Sequence, residues 1–250
     1  MSRLVFEQRI YQNWADHFRC APDDLSRPGT VLLPEAKWAG NGLLAIWKVG
    51  ERALVQLDPD CLEVVQAIPG YAPDSVALAG DFLSAALAPE AVSSGGVGLA
   101  FYLYPPDLPG VTLDGDFVLR RLAPDDAAAM AVLHAANTPE DVDEGYVEVD
   151  HEIAFGCFGD DLLLAAASGY RRTGFMDIGV LTHPAHRRMG LGRAAVGALC
   201  AWCVTNDVIA QYRCDEENAA SRALAESLNF TRYFRQESVY LKRFSQASTP

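Results

Sequence analysis

Three arginines, at 187, 188 and 193, surround the glycines at 190 and 192 in the run His183-Pro-Ala-His-Arg-Arg-Met-Gly-Leu-Gly-Arg193. An apolar stretch, Ile178 to Thr182, leads into this run, and a helical pattern follows it. A strand that ends in a glycine-bearing turn at a helix N-terminus is a cradle for an anion. Positions without side chains let backbone N–H groups approach a phosphate, and the helix dipole adds a positive field. Arginines at a helix start oppose that dipole, so their presence calls for an anionic partner. Asn218-x-x-Ser221 opens a second helical pattern, where Asn218 is a good N-cap whatever else it touches.

Titratable groups lie close by. His183 and His186 flank Pro184, and an imidazole within reach of an amine can act as a general base. Glu148, Asp150 and Glu152, with Glu144 before them, form an acidic cluster. The alternate spacing of the last three places them on one face of an extended chain. As a solvated charge run they do nothing specific; as a cleft lining they attract an ammonium group. Cys200 and Cys203 sit inside a helical pattern without a second pair or a histidine at zinc spacing, so they read as buried helix thiols and no metal site is expected.

The elements that must hold these groups follow from the patterning. The 250 residues are half hydrophobic and about one-fifth charged, a globular composition. A formal net charge of −13 argues against nucleic acid as a partner and suits a small-molecule ligand, a cationic amine included. The N-terminus has charges where a secretory signal has its apolar core, and no run reaches the roughly 18 apolar residues of a membrane span. A cytoplasmic protein is therefore expected. Residues 105–115, rich in proline and glycine, divide an N-terminal α/β domain (1–104) from a second domain (116–250). In the first, helices are expected over 3–19, 62–68 and 75–87, a hairpin over 42–57 and a strand over 97–103. In the second, strands are expected over 117–122, 153–158, 162–170, 175–182, 208–215 and from 230 onward, with helices over 124–136, 191–204 and 218–228. That order predicts a mixed α/β domain and not a doubly wound one.

With Thr182-His-Pro-x-x-Arg187 before the glycines, Asn218-x-x-Ser221 after them and Leu224-Ala-Glu-Ser-Leu-Asn-Phe230 at the end of the second helix, residues 116–243 resemble the GNAT superfamily of acyl-CoA-dependent N-acetyltransferases. The string Asp-Ile-Gly-Val-x-Thr-His-Pro is similar to the branch of zwittermicin-resistance-type acetyltransferases. The resemblance implies a mostly antiparallel, splayed sheet flanked by helices. It implies acetyl-CoA as cosubstrate, its pyrophosphate held by main-chain amides of Arg188, Met189, Gly190, Leu191, Gly192 and Arg193, with Arg187 at the mouth of the loop and Asn218 and Ser221 nearby. Val180, Leu181 and Thr182 would pair with the pantetheine arm, and a main-chain N–H near Val180 or Leu181 would stabilise the oxyanion. Asp177 would be the base. The tyrosine that protonates the departing thiolate in the family is replaced by Ala225, which leaves Tyr212, Cys214 and Tyr233 as substitutes. The implied reaction is acetyl transfer to a small-molecule primary amine in a ternary complex, and the competing reading is a catalytically degenerate acyl-CoA-binding module. A worn-down acetyltransferase-like half remains an alternative for the N-terminal region, and a homodimer paired through the last strands is left open.

Overall fold

The computed structural model describes residues 1–49, 52–69, 71, 80–86, 92–113 and 115–242. The chain divides into two compact units. One holds residues 1–6, 100–214 and 218–232; the other holds 7–99, 215–217 and 233–250. The boundaries between them fall after residues 6, 99, 214, 217 and 232.

In the second of these units, helix α1 (Arg3–Phe18) supplies Trp14 and Phe18, which pack with Trp47 and Phe234 at ring distances of 4.9 to 5.8 Å. Strands β2 (Leu43–Val49) and β3 (Arg52–Leu57) form the expected hairpin. A strand that patterning does not reveal, β1 (Gly29–Pro34), runs parallel to β3. Short helices α2 (Leu62–Gln66) and α3 (Gly80–Ala86) follow, so the helix expected over 75–87 is realised over 80–86, and its remaining residues lie outside those described. Strand β4 (Val92–Tyr102) comes next. Buried Leu44, Ile46, Val55, Leu57, Val65 and Val239 make one core.

The other unit is built on strands β5 (Val118–Arg121), β6 (Ile153–Gly159), β7 (Leu162–Arg172), β8 (Phe175–Thr182) and β9 (Ala210–Asp215), which lie side by side in the order β9-β8-β7-β6-β5. Neighbours are antiparallel except β8 and β9. Helix α4 (Ala127–Ala135) packs on β7, helix α5 (Pro139–Gly145) on β8, and helix α6 (Leu191–Thr205) on β6, β7 and β8. Helix α7 (Ala219–Ser227) precedes β10 (Thr231–Leu241). The last strand was expected to stay with the 116–250 domain, but it pairs antiparallel with β2 from Arg235 to Tyr240.

Helix α5 corrects the extended acidic run. Thr138 caps it by accepting the Asp141 N–H at 3.1 Å, Pro139 occupies its first turn, and Glu140 and Asp141 complement its dipole. Glu144 is on that helix, Glu148 and Asp150 are in the following loop, and β6 begins only at Ile153, so no strand face aligns Glu148, Asp150 and Glu152. Among the described residues, no helix is long and apolar enough to cross a membrane.

Candidate active site

Strand alternation sorts the residues of β7, β8 and β9 onto two faces. Ser168 lies opposite Gly179, Tyr170 opposite Asp177, and Asp177 opposite Gln211. Ser168, Tyr170, Arg172, Asp177, Gln211 and Arg213 therefore share one face, a polar row in a buried sheet. Ile178, Val180 and Thr182 belong to the other face, against α6. The C-terminal turn of α5 closes over the polar row. A Cβ on Gly179 would come within 2.1 Å of the Gly145 carbonyl oxygen and 2.6 Å of that of Tyr146, so only glycine admits this approach.

Between them lies a cavity of about 300 Å³, bounded on the α5 side by Asp143, Glu144 and Tyr146 and on the sheet side by Tyr170, Asp177 and Arg213. Asp177 is nearly fully buried. Its Oδ2 accepts from Arg213 Nε at 2.8 Å and from the Tyr170 hydroxyl at 2.9 Å, with Arg213 Nη2 at 2.6 Å. None of these donors is directed to Oδ1. Burial works against the Arg213 charge, but the Asp177 carboxylate outweighs it and raises the guanidinium pKa. Burial, then the Asp177 charge, raises the pKa of Tyr170. The rings of Tyr146, His151 and Tyr170 contact one another at 5.0 to 5.1 Å. Ser168 Oγ accepts the Glu148 N–H at 3.1 Å and lies 2.8 Å from His151 Nδ1, and burial lowers the His151 pKa.

The second half of the site is main chain. Strands β8 and β9 pair only at Met176–Ala210, Asp177–Gln211 and Ile178–Tyr212, and among the described residues no pairing continues beyond Ile178. The Met176 N–H donates to Ile209, so by alternation the N–H groups of Val180 and Thr182 also point to the β9 side, onto an open edge. Leu181 differs from the expectation: its main-chain groups turn to β7 opposite Ala166, and its side chain joins the core of Met130, Leu133 and Val147.

Gly190 (φ +79°) caps α6 with no side-chain hydrogen bond, and Arg188 before it also has a positive φ of 65°. The first-turn amides of α6 therefore lack intrahelical partners. A Cβ on Gly192 would meet Thr182 Oγ1 at 2.8 Å, which fixes the helix start beside the open end of β8.

The arginines divide. Arg187 Nη2 donates to Asn137 and Asp141, each at 3.0 Å, and holds the Asp141 carboxyl below its usual range; its expected anion is thus a protein carboxylate. Arg193 donates to the Ser227 carbonyl at 3.3 to 3.4 Å. Arg188 is exposed and makes no contact with an acceptor among the described residues. Met189 is exposed and Leu191 buried. Asn218 caps α7 through the Ser221 N–H at 3.0 Å and donates to Glu144 at 3.1 Å, tying α7 to α5.

The remaining candidates are less ready for proton transfer. Tyr212 is buried, lies on the face opposite Asp177 and is hydrogen-bonded to Ser221; burial pushes its pKa up to about 12. Tyr233 belongs to the other compact unit, where its hydroxyl donates to Glu7 at 3.4 Å. His183 Nδ1 accepts the Ala185 N–H at 3.2 Å and lies 3.3 Å from His186 Nδ1, so this pair shapes the turn. Cys200 and Cys203 are buried in α6, and burial raises both thiol pKa values, that of Cys203 to about 12.

Sequence reasoning missed Tyr170, Arg213, Tyr146, His151 and Arg172. The alternate polar positions Ser168, Tyr170 and Arg172 at the end of an alanine-rich strand were the available signal for three of the residues on the polar face.

A family model for GNAT acetyltransferases matches residues 155–237, which include the open edge of β8, the glycine turn and the Asp177–Arg213 pair. No curated protein matches the sequence. Among solved structures, a GNAT-family acetyltransferase from Colwellia psychrerythraea superposes with a TM-score of 0.51 at 16% identity, over 75% of this chain and 76% of its own. A Drosophila protein superposes with a TM-score of 0.50 at 16% identity, over 95% of this chain and 88% of its own. Both share the fold. Residues 155–237 thus match the GNAT acetyltransferases, and that match supports an acyl-CoA N-acetyltransferase.

Proposed function

We propose that the chain transfers an acetyl group from acetyl-CoA to a small-molecule primary amine, directly and within one ternary complex. The observation that carries this reading is the open edge of β8 beyond Ile178, set beside the uncapped start of α6. Unpaired main-chain groups on a strand edge suit an amide-bearing arm, and free amides at a helix start suit a pyrophosphate. The cosubstrate supplies an acyl group activated as a thioester. Arg188 and the amides of Met189 to Arg193 hold the phosphates, while Val180 and Thr182 present the strand edge. The Val180 N–H is the main-chain donor available to the carbonyl oxygen, which gains negative charge as the amine lone pair attacks the carbonyl carbon and the C–S bond breaks. The sulfur departs as a thiolate and takes a proton from water, since a thiol pKa of about 8.5 makes a side-chain donor dispensable. That fits the lack of a hydroxyl at Ala225.

On the acceptor side, Asp177 Oδ1 accepts a proton from the amine and passes it to water. Arg213 and Tyr170 hold Oδ2 and fix the carboxylate in place. Carboxylates and two tyrosine rings around one cavity favour an ammonium-bearing acceptor. A small antibiotic-like amine, as the similarity to the zwittermicin-resistance branch implies, is compatible with it. The test is CoA-thiol release across a panel of amines, with Asp177→Asn alongside. Turnover should fall by about 100-fold or more in the variant while acetyl-CoA affinity stays within a few-fold. Tight acetyl-CoA binding with no transfer to any amine would overturn the proposal.

A further inference from the structure

The cavity carries charges that its own walls leave uncompensated. Arg213 is neutralised by Asp177, and Glu144 is held by Asn218. Arg172 and Asp143 also line the cavity, and neither side chain forms an ion pair or hydrogen bond among the described residues. Among the described residues the cavity thus presents one unpaired cation, Arg172, and two carboxylates that no cation neutralises, Asp143 and Glu144, since the Asn218 amide carries no charge. Their placement is ordered along β8. Arg172 is level with Phe175, Tyr170 with Asp177, and the α5 carboxylates sit where Gly179 meets Gly145. From Phe175 to Gly179 the strand advances roughly 13 Å, at about 3.3 Å per residue. The open edge that begins after Ile178 is at the carboxylate end, and Arg172 is at the far end.

Resting on the acetyltransferase reading above, we propose that the acceptor is an elongated amine carrying a carboxylate at the end remote from the reacting nitrogen, and that Arg172 is the residue that selects it. The ammonium group lies towards Asp143, Glu144 and the Tyr146 ring, next to the strand edge where transfer occurs. The distant carboxylate receives the planar fork of Arg172, which matches it with two parallel N–H donors. A doubly charged phosphate in that place would face Asp143, Glu144 and Asp177 across the same cavity, so the carboxylate is the better fit.

The experiment compares 6-aminohexanoate and lysine with hexylamine, with glycine and with an aminoalkyl phosphate of matching length, in thiol-release kinetics and in calorimetric binding without thioester. The carboxylated long amines should exceed hexylamine in kcat/KM and in affinity by about 10- to 100-fold, the range of a charge-assisted pair. Arg172→Gln should collapse that ratio to within about threefold, and Arg172→Lys should restore part of it. Arg172 is exposed and unpartnered, so its variants should melt with the parent, which separates recognition from folding. Hexylamine or the phosphate used as well as 6-aminohexanoate, or an unchanged ratio in Arg172→Gln, refutes the assignment while leaving acetyl transfer intact. Absence of thiol release with every acceptor refutes the acetyltransferase reading instead, and the calorimetric ratio then still decides whether Arg172 selects the carboxylate.

Discussion

Substituting Gly179 by alanine tests whether the wall of the acceptor cavity depends on a single close approach. The added Cβ would stand 2.1 Å from the Gly145 carbonyl oxygen and 2.6 Å from that of Tyr146. Both obstacles are backbone, so no side-chain rotation relieves them. Reaching even a 3.0 Å separation requires the last turn of α5 to retreat by 0.9 Å (3.0 minus 2.1). Overpacking of this kind costs about 1–3 kcal/mol, which lowers the melting temperature of a chain this size by roughly 2–12 °C. The same retreat moves Asp143, Glu144 and Tyr146, which together form one side of the cavity. A displacement near 1 Å can reduce turnover by about 100-fold when it misplaces a reacting group. The phosphate end of the cradle should hold, because the nearest neighbours of Gly192 belong to β8 and α7 and none crowds Gly190, while Gly145 touches the strand edge only at the Val180 carbonyl. The expected result is a lower melting temperature, a kcat/KM for the amine reduced by about tenfold or more, and acetyl-CoA affinity within about twofold of the parent. Thermal unfolding, amine kinetics and cosubstrate titration measure the three quantities. If Gly179→Ala melts within about 1 °C of the parent and acetylates amines as well, the cavity wall is not set by this contact and the reasoning fails.

Other predictions concern the arginines and the buried tyrosine. Arg188→Gln should weaken acetyl-CoA binding by about tenfold, as the loss of one charge-assisted phosphate contact does. Arg187→Gln should instead release Asp141, letting its carboxyl titrate nearer the ordinary range, at a stability cost below about 1 kcal/mol because the pair is half exposed. Equal binding losses in the two variants, measured by titration, would contradict this division of roles. Tyr212, with its pKa raised from 10.0 to about 12, binds its proton more tightly folded than unfolded, so its contribution is complete below pH 10 and is lost as pH rises through 12. Cys157 and Cys203, raised from 9.0 to about 11 and about 12, act in the same direction. Tyr212→Phe should flatten the fall in stability above pH 10 by about 3 kcal/mol while thiol release persists; an unchanged alkaline slope in denaturant titrations would show that the burial of the hydroxyl is not the cause.

Much of the site was legible because it depends on local chemistry. Pro184, the glycines and Asn218 act within a few residues of themselves, as turn, cap and helix start, so their spacing reveals their places. Helix α5 has its start signal in Thr138-Pro-Glu-Asp141, but its seven mostly polar residues carry no apolar periodicity that would mark a helix. The partner of a charge is a different matter. Arg187 is 46 residues from Asp141, and Arg213 is 36 from Asp177, and no periodicity connects them. The final strand is open in the same way: its alternation fixes that it is a strand, not that it joins the edge of β2.

The sequence by itself determined the strand, turn and helix that make the cradle, because glycine freedom, proline stiffness and helix capping are properties of the residue and its nearest neighbours. It also determined the net acidity of the chain, a formal charge of −13. Only the tertiary structure decided where β8 parts from β9, that Asp177 lies in an ion pair beneath a cavity, and that Arg172 and Asp143 remain free within it. Those outcomes depend on which strand edges meet and which side chains share a face at a distance, and such contacts are set by the packing of the whole unit.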